Sequence, residues 1–331
     1  MPLPGEIPKR RKDTDADKIW EQLCSPGGEW LLSKKKVTIE YGFDVNNKRS
    51  LKINSVPRRR LSDLVGIFSV VSIAPEEITI ISGPPEERRT FLDIILSQTS
   101  TRYLANLSRY QRVLSQRNRF LKEHRGEEIS RKLTEQLSGW SDQLAEFGGE
   151  IISTRDKFTN FLRAKLPDFY QQITESDEKM EISYQISGRL NTREPLREQI
   201  LERLSKSLKK ELILGSTTVG PHRDDLEMKI EAHDIRQFGS QGQMRSALLA
   251  LKLVAGEYIA QIKGEAPILI LDEVFLELDE KRMRALLNFI LRGGQVFIAT
   301  SRGQEVQFVP KADSRSFYID RGTCRVFDLP G

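Results

Sequence analysis

"ILILDEVFLELDEK", Ile268 to Lys281, places four apolar residues ahead of two carboxylates, Asp272 and Glu273, with a second acidic cluster on the next turn. A short, continuously apolar run of this kind is a strand buried on both faces. A helical pattern from about Glu280 to Leu291 and a further apolar strand, "QVFIAT", follow it. Strand, helix and strand in that order, with unbroken apolar strands, predict a parallel sheet covered on both faces. Carboxylates at the C-terminal tip of a parallel strand stand in the crevice where ligands bind. Asp272 there suits Mg²⁺, which prefers oxygen ligands. Glu273 points the other way and can polarise water for attack on a γ-phosphate. The same two residues also suit a plain acidic cap on the helix that follows a core strand.

Upstream, "FGSQGQMRSALLALKLVAG" opens a helix running from Ser240 to about Ile262. Ser240 is a good N-cap, and Gly242 lets an anion approach the free N–H groups of the first turn. An ordinary capped helix has the same sequence. Before it, "DLEMKIE" alternates as a strand, "EISYQIS" does so through Ile182, Tyr184 and Ile186, and "REPLREQILERLSKSLKKEL" sets Leu196, Ile200, Leu204 and Leu208 on one helix face. From about Pro85 to about Leu166 the period is helical. Tyr103, Leu107, Tyr110, Leu114 and Leu121 form one amphipathic stretch, and Leu144, Phe147, Ile151, Phe158 and Phe161 a second. With a turn near Gly126, and Pro167 ending the second helix, the pair predicts an antiparallel arm or a helical subdomain. In the first third, Val37, Ile39 and Tyr41, then Leu51 and Ile53, alternate about Asn46-Asn47 as a β-hairpin, and "IFSVVSI" is a further strand. Residues 1 to 33 show no clear period. On this pattern the parallel sheet lies in the last third, hairpins in the first, and helices in the middle.

The chain has 331 residues, 38% of them hydrophobic and 30% charged, enough for one large or two ordinary domains with a proper core. No apolar run approaches a membrane span, and the polar N-terminus has no secretory h-region, so no membrane is expected. Cys24 and Cys324, at opposite ends, form no metal spacing and read as isolated reduced thiols of a cytosolic protein. Net charge is +5, and nine Lys/Arg stand against three Glu between Arg102 and Lys132. "KRRK" at Lys9 and "RRR" at Arg58 add to it. Such clusters are either solvated faces or nucleic-acid contacts. The candidates for DNA contact are Arg58, Arg59, Arg88, Arg89, Arg109, Arg112, Arg117 and Arg119.

A strand, then Ser-x-Gly-Gln opening a helix, then a strand ending Asp-Glu, then "LELD", is the layout of ABC-type ATPases. There the serine-glycine signature of one subunit binds the γ-phosphate held by its partner, and "TS" at Thr300-Ser301 falls where that class places its γ-phosphate switch residue. Further stretches narrow the likeness: "SGPPEERRTFLD" at Ser82, "YQRVLSQRNRFLK" at Tyr110 and "TTVGPHRDDLE" at Thr217. On these, from about residue 30 to about residue 325, the chain resembles the RecF family of bacterial recombination mediators, which are SMC/Rad50-like ABC ATPases. Transporter ATPase subunits, a competing class, usually show SGGQ and lack both "GPHRDD" and "ERRxFLD".

The resemblance implies an α/β fold: an ABC-type ATPase head of parallel sheet, helices and antiparallel β hairpins, with an inserted helical arm domain. Residues 1–95 and 211–331 would form the head, and residues 96–210 the arm. It implies ATP and Mg²⁺ as cofactors and an ATP-dependent homodimer in the cytoplasm. Its partners would be double-stranded and gapped DNA and the mediators RecO and RecR, in loading recombinase at single-strand gaps and supporting the SOS response. By position, Asp272 would hold the metal and Glu273 would be catalytic. Ser240, Gly242 and Gln243 would be the signature, Asp279 the D-loop acid and Thr300 the switch residue. The strand tip reads Asp-Glu where the family often has Asp-Asp, and Leu276 replaces the usual D-loop serine. His222 and Arg223 have no assigned role beyond a turn on Gly220-Pro221. The family's phosphate loop precedes the region matching "KRRKDTDADKIW". None of the 22 glycines here is followed by lysine. The expectation is a chain shortened by a late start codon or a disrupted gene, with apolar surface exposed beside the parallel strands and little or no ATP binding. A non-catalytic DNA- and partner-binding module is the alternative.

Overall fold

The computed structural model describes residues 27–32, 35–43, 49–188, 190–191, 194–274, 282–283, 286–287, 293–301, 314–321 and 323–327. The chain divides into two compact units, Met1–Val65 with Val306–Gly331, and Gly66–Glu305.

In the first unit, β1 (Gly27–Leu32), β2 (Lys35–Phe43), β3 (Arg49–Ile53) and β4 (Val56–Arg58) form an antiparallel sheet in chain order. The expected hairpin is β2–β3, with Ile39 opposite Ile53, and Ile39, Leu51 and Ile53 are buried. Asn46 and Asn47 lie outside the described residues. β1 falls in the stretch without a readable period: it opens with two glycines, and its partner strand rather than its own pattern defines it. The β3–β4 turn puts Asn54 and Ser55 at φ 51° and 63°, the left-handed geometry of a tight hairpin.

In the second unit the parallel sheet runs β10–β9–β5, from β5 (Val70–Ile73), β9 (Ile268–Asp272) and β10 (Val296–Ala299). The apolar strand of the first third therefore joins the parallel sheet, which does not lie wholly in the last third. The helix expected from about Glu280 to Leu291 lies largely outside the described residues, and among the described residues one face of the sheet is partly exposed. Val71, Ile73, Leu269 and Leu271 are buried, whereas Ile270 is 39% and Phe297 51% exposed. These two side chains stand opposite each other and leave apolar surface on one face of the sheet.

α1 (Pro85–Thr99), α2 (Thr101–Glu123), α3 (Arg131–Thr174), α4 (Leu196–Leu214) and α5 (Gln241–Lys263) supply the helices. α2, α4 and α5 all pack on α3. Pro167 does not end α3, which continues through it over 44 residues. Leu166, Phe169, Tyr170 and Ile173 on either side of the proline are buried, and that packing holds the helix across the bond Pro167 cannot donate. α5 is buried continuously from Ser246 to Gly256 and shares one core with α2, α3, β5 and β9. β6 (Met180–Gln185), β7 (Asp225–Ile230) and β8 (His233–Asp234) form an antiparallel sheet whose alternate residues join that core. A separate cluster of Leu121, Leu133, Leu137, Leu208 and Leu212 closes the bundle where α2 ends, α3 begins and α4 ends. The first unit also holds the antiparallel pair β11 (Ser316–Asp320) and β12 (Thr323–Phe327).

Candidate functional site

Asp272 is the last residue of β9, opposite Ala299 at the end of β10, and its side chain is exposed. Glu273 leaves the strand at φ 49°, a left-handed conformation that is costly for a residue with a Cβ. Its N–H donates to the Ala299 carbonyl at 2.9 Å, and its Oε1 accepts from the Ser301 N–H at 2.9 Å. Thus the end of β10 and Ser301 hold the glutamate in place. Its Oε2 is buried and has no hydrogen-bond partner among the described residues. A buried carboxylate oxygen without a donor is expensive, and such an atom at a strand tip marks a place where a cation or an activated water fits. Asp272, Glu273 and Thr300 are therefore brought together. Asp279 lies outside the described residues.

Ser240 caps α5. Its Oγ accepts from the Gln243 N–H, and Gln243 Oε1 accepts from the Ser240 N–H at 2.8 Å, a full capping box. Gln243 Nε2 donates to Glu178 Oε1 at 2.8 Å, and Glu178 Oε2 accepts from the Tyr170 hydroxyl of α3 at 3.1 Å. Arg282 Nε donates to Ser246 Oγ at 2.7 Å, and Ser246 Oγ donates to the Gly242 carbonyl at 2.9 Å. A cleft of about 400 Å³ opens between Ser240, Gly242 and Gln243 on one side and Tyr170, Glu178 and Arg282 on the other. Sequence reading missed Glu178 and Arg282. Glu178 sits in the turn before β6 with no motif around it, while Arg282 ends the acidic stretch that was read for its carboxylates. Among the described residues no group of three or more His, Cys, Asp or Glu forms a metal cluster.

Two of the arginines proposed for DNA contact are buried. Arg88 is fully enclosed, its Nε and Nη2 on the two carboxylate oxygens of Asp225 at 2.7 and 3.1 Å and its Nη1 on the Gly83 carbonyl. Arg117 pairs with Glu211 at 2.7 Å, both side chains within 1% of full burial, and donates to Thr217 Oγ1. A buried guanidinium needs an internal partner, and removing that partner costs about 3–5 kcal/mol. These two serve the fold and cannot reach phosphates. Arg89 is half-buried on the Asp224 carbonyl. Arg58, Arg59, Arg109, Arg112 and Arg119 are exposed, Arg109 lying over the Phe147 ring and Arg119 pairing with Glu123.

The turn at "GPHRDD" now has a role. Gly220 sits at φ 125°, and a Cβ there would come within 2.3 Å of the Tyr110 hydroxyl, so only glycine fits. That hydroxyl meets His222 Nδ1 at 2.7 Å, and His222 Nε2 and Arg223 both meet the Thr217 carbonyl. Asp224 is buried, accepting from the Tyr184 hydroxyl and the Ser187 N–H, while Arg155 of α3 donates to the Pro221 carbonyl. The loop ties α1, α2, α3 and β6 together.

No family model matches the chain. Among curated proteins, the DNA replication and repair protein RecF of Alkaliphilus oremlandii is 35% identical over 289 residues, 86% of this chain and 77% of that protein. RecF of Streptococcus gordonii is 37% identical over 319 residues, 96% and 86% of the two chains. A solved structure described as the recombination mediator protein RecF-ATPrS in the RecFOR pathway superposes with a TM-score of 0.77 at 33% identity, covering 89% of this chain and 77% of that one. One of RecF-ATP superposes at 0.75, covering 88% and 76%. With that likeness extending through the strand tip and the capped helix, the chain belongs to the RecF family of DNA replication and repair proteins.

Proposed function

We propose that the chain is a recombination mediator that binds ATP with Mg²⁺ and double-stranded or gapped DNA, and dimerises around the nucleotide. With RecO and RecR it helps to load recombinase at single-strand gaps in the cytoplasm, supporting the SOS response. In this reading residues 1–95 and 211–331 make the ATPase head and residues 96–210 the arm. The observation that carries it is Glu273 Oε2, buried beside Asp272 without a donor among the described residues. Hard oxygen donors at a strand tip fit Mg²⁺ and a water. When bound, the nucleotide with its metal supplies a γ-phosphoryl group open to water. Asp272 is the residue that would hold the metal. Glu273 would orient the water, the Gly242 N–H and the Ser240 hydroxyl would offer donors at the helix N-terminus that Gln243 holds through the capping box, and Thr300 follows Ala299, the strand-end residue opposite Asp272. Asp279 would serve the dimer contact. No helix among the described residues is long and apolar enough to cross a membrane.

The test is the affinity for intact and gapped duplex DNA from low to physiological salt, with and without ATP and Mg²⁺. Binding should fall steeply with salt and show little sequence preference. An affinity flat with salt would remove DNA from the function. A second reading keeps DNA and partner binding without hydrolysis; what favours it is that no glycine in these residues is followed by lysine.

A further inference from the structure

The end of the helical bundle where α2 stops, α3 starts and α4 stops is closed by its own leucine cluster, yet aliphatic side chains also stand exposed among its surface charges. Ile129, Ile213 and Leu214 are 51%, 56% and 50% exposed. Lys209 and Lys210 lie one helical turn before Ile213 and Leu214 and so share their faces. Arg125 Nε donates to the Ile213 carbonyl at 2.9 Å. A Cβ on Gly215 would come within 3.2 Å of Lys122 Cγ and 3.9 Å of Arg125 Cδ, so both side chains run beside the end of α4.

Neighbouring charges cancel in part. Arg119 pairs with Glu123, Arg131 with Glu135 and Lys206 with Glu202. That leaves Lys122, Arg125, Lys132, Lys209 and Lys210 against Glu127 and Glu128, five positive to two negative. Lys122, Lys209 and Lys210 are exposed and make no ion pair among the described residues. Cations at a helix C-terminus have an internal reason, since they meet its free carbonyls, and Arg125 does so. That reason does not extend to three half-exposed aliphatic side chains. Apolar groups rimmed by charge mark an interaction surface.

We propose that this end of the bundle is a docking surface for a protein partner whose contacting segment is acidic and carries aliphatic or aromatic side chains. The excess of positive charge selects the acid, and Ile129, Ile213 and Leu214 receive the apolar groups. Duplex DNA fits less well, because phosphates would engage the lysines and leave the aliphatic side chains in water. The inference rests on the reading that the chain works with partner mediators.

The test measures binding of the 331-residue chain to the RecO and RecR proteins of its own cell, each alone. The parent is compared with Ile213→Asp/Leu214→Asp and with Lys209→Glu/Lys210→Glu. Both double variants should lose about tenfold or more in affinity for at least one of the two proteins. Their unfolding temperatures and duplex-DNA affinity should match the parent, since all four side chains are exposed. Parent and variants binding alike to within about twofold would show that the surface is not a docking site, with the partner reading intact. Loss of DNA affinity in the lysine variant, with protein binding kept, would overturn docking in favour of nucleic acid. Failure of the parent to bind either protein would remove the partner reading and the docking surface together.

Discussion

His222 stands between the Tyr110 hydroxyl and the Thr217 carbonyl, and burial pulls its imidazole down to about 4 from the usual 6.5, with Arg223, Arg89 and Arg117 acting in the same direction. The neutral ring is the one the fold holds. As pH falls, the unfolded chain takes up this proton near 6.5 and the folded chain only near 4. Stability is therefore full above the higher value and is lost as pH drops through the window between them, by up to about 3 kcal/mol. Asp224, whose carboxyl burial pushes up, acts in the opposite sense. Comparing His222→Gln with the parent isolates the histidine. Denaturant unfolding at pH 7 and at pH 4.5 should show a markedly smaller loss in the variant, and equal losses would mean that His222 titrates normally. "GPHRDD" was visible as a motif, but its work was not, because its partners Tyr110, Arg155 and Tyr184 lie far away in sequence.

α2 shows how much an element reveals by itself. Tyr103, Tyr110 and Leu121 gave the buried face, and all three are buried. Arg117 lies seven residues after Tyr110 and four before Leu121, on the same face, so the helical period already placed it inside. Its charge alone suggests a surface residue, and its place in the helical period outweighs that. Arg102, Arg109, Arg112 and Arg119 follow spacings of seven, three and seven and form one exposed stripe. If that stripe tracks a DNA backbone, Arg112→Ala should weaken binding uniformly across sequences and reduce the salt slope by about 1. Arg109→Ala should do the same with some loss of packing on Phe147. An unchanged slope in both would move DNA off this helix. Pro167 is the converse lesson: local chemistry marked a stop, and buried neighbours overrode it.

Across the whole molecule, long-range order was the hardest to read. β5 and β9 pair although about two hundred residues separate them, and nothing in "VVSI" names its neighbour. The strand-tip carboxylates and the capped helix were legible because both are local motifs, each complete within a few residues. The phosphate cradle is different, because no glycine in these 331 residues is followed by lysine. Asp272 and Glu273 supply oxygen ligands and a base, and α5 supplies N–H donors. Arg282 lines the cleft with its guanidinium engaged by Ser246, and no Gly-Lys step among these residues supplies the lysine that meets β- and γ-phosphates. Calorimetry with ATP and Mg²⁺ should therefore give a dissociation constant weaker than micromolar. Asp272→Asn should change it little, because a metal held by one carboxylate adds little where the phosphates are not gripped. A micromolar constant that Asp272→Asn abolishes would mean that this chain grips the nucleotide without a lysine. The donors of the Ser240 helix would then be the first groups to examine.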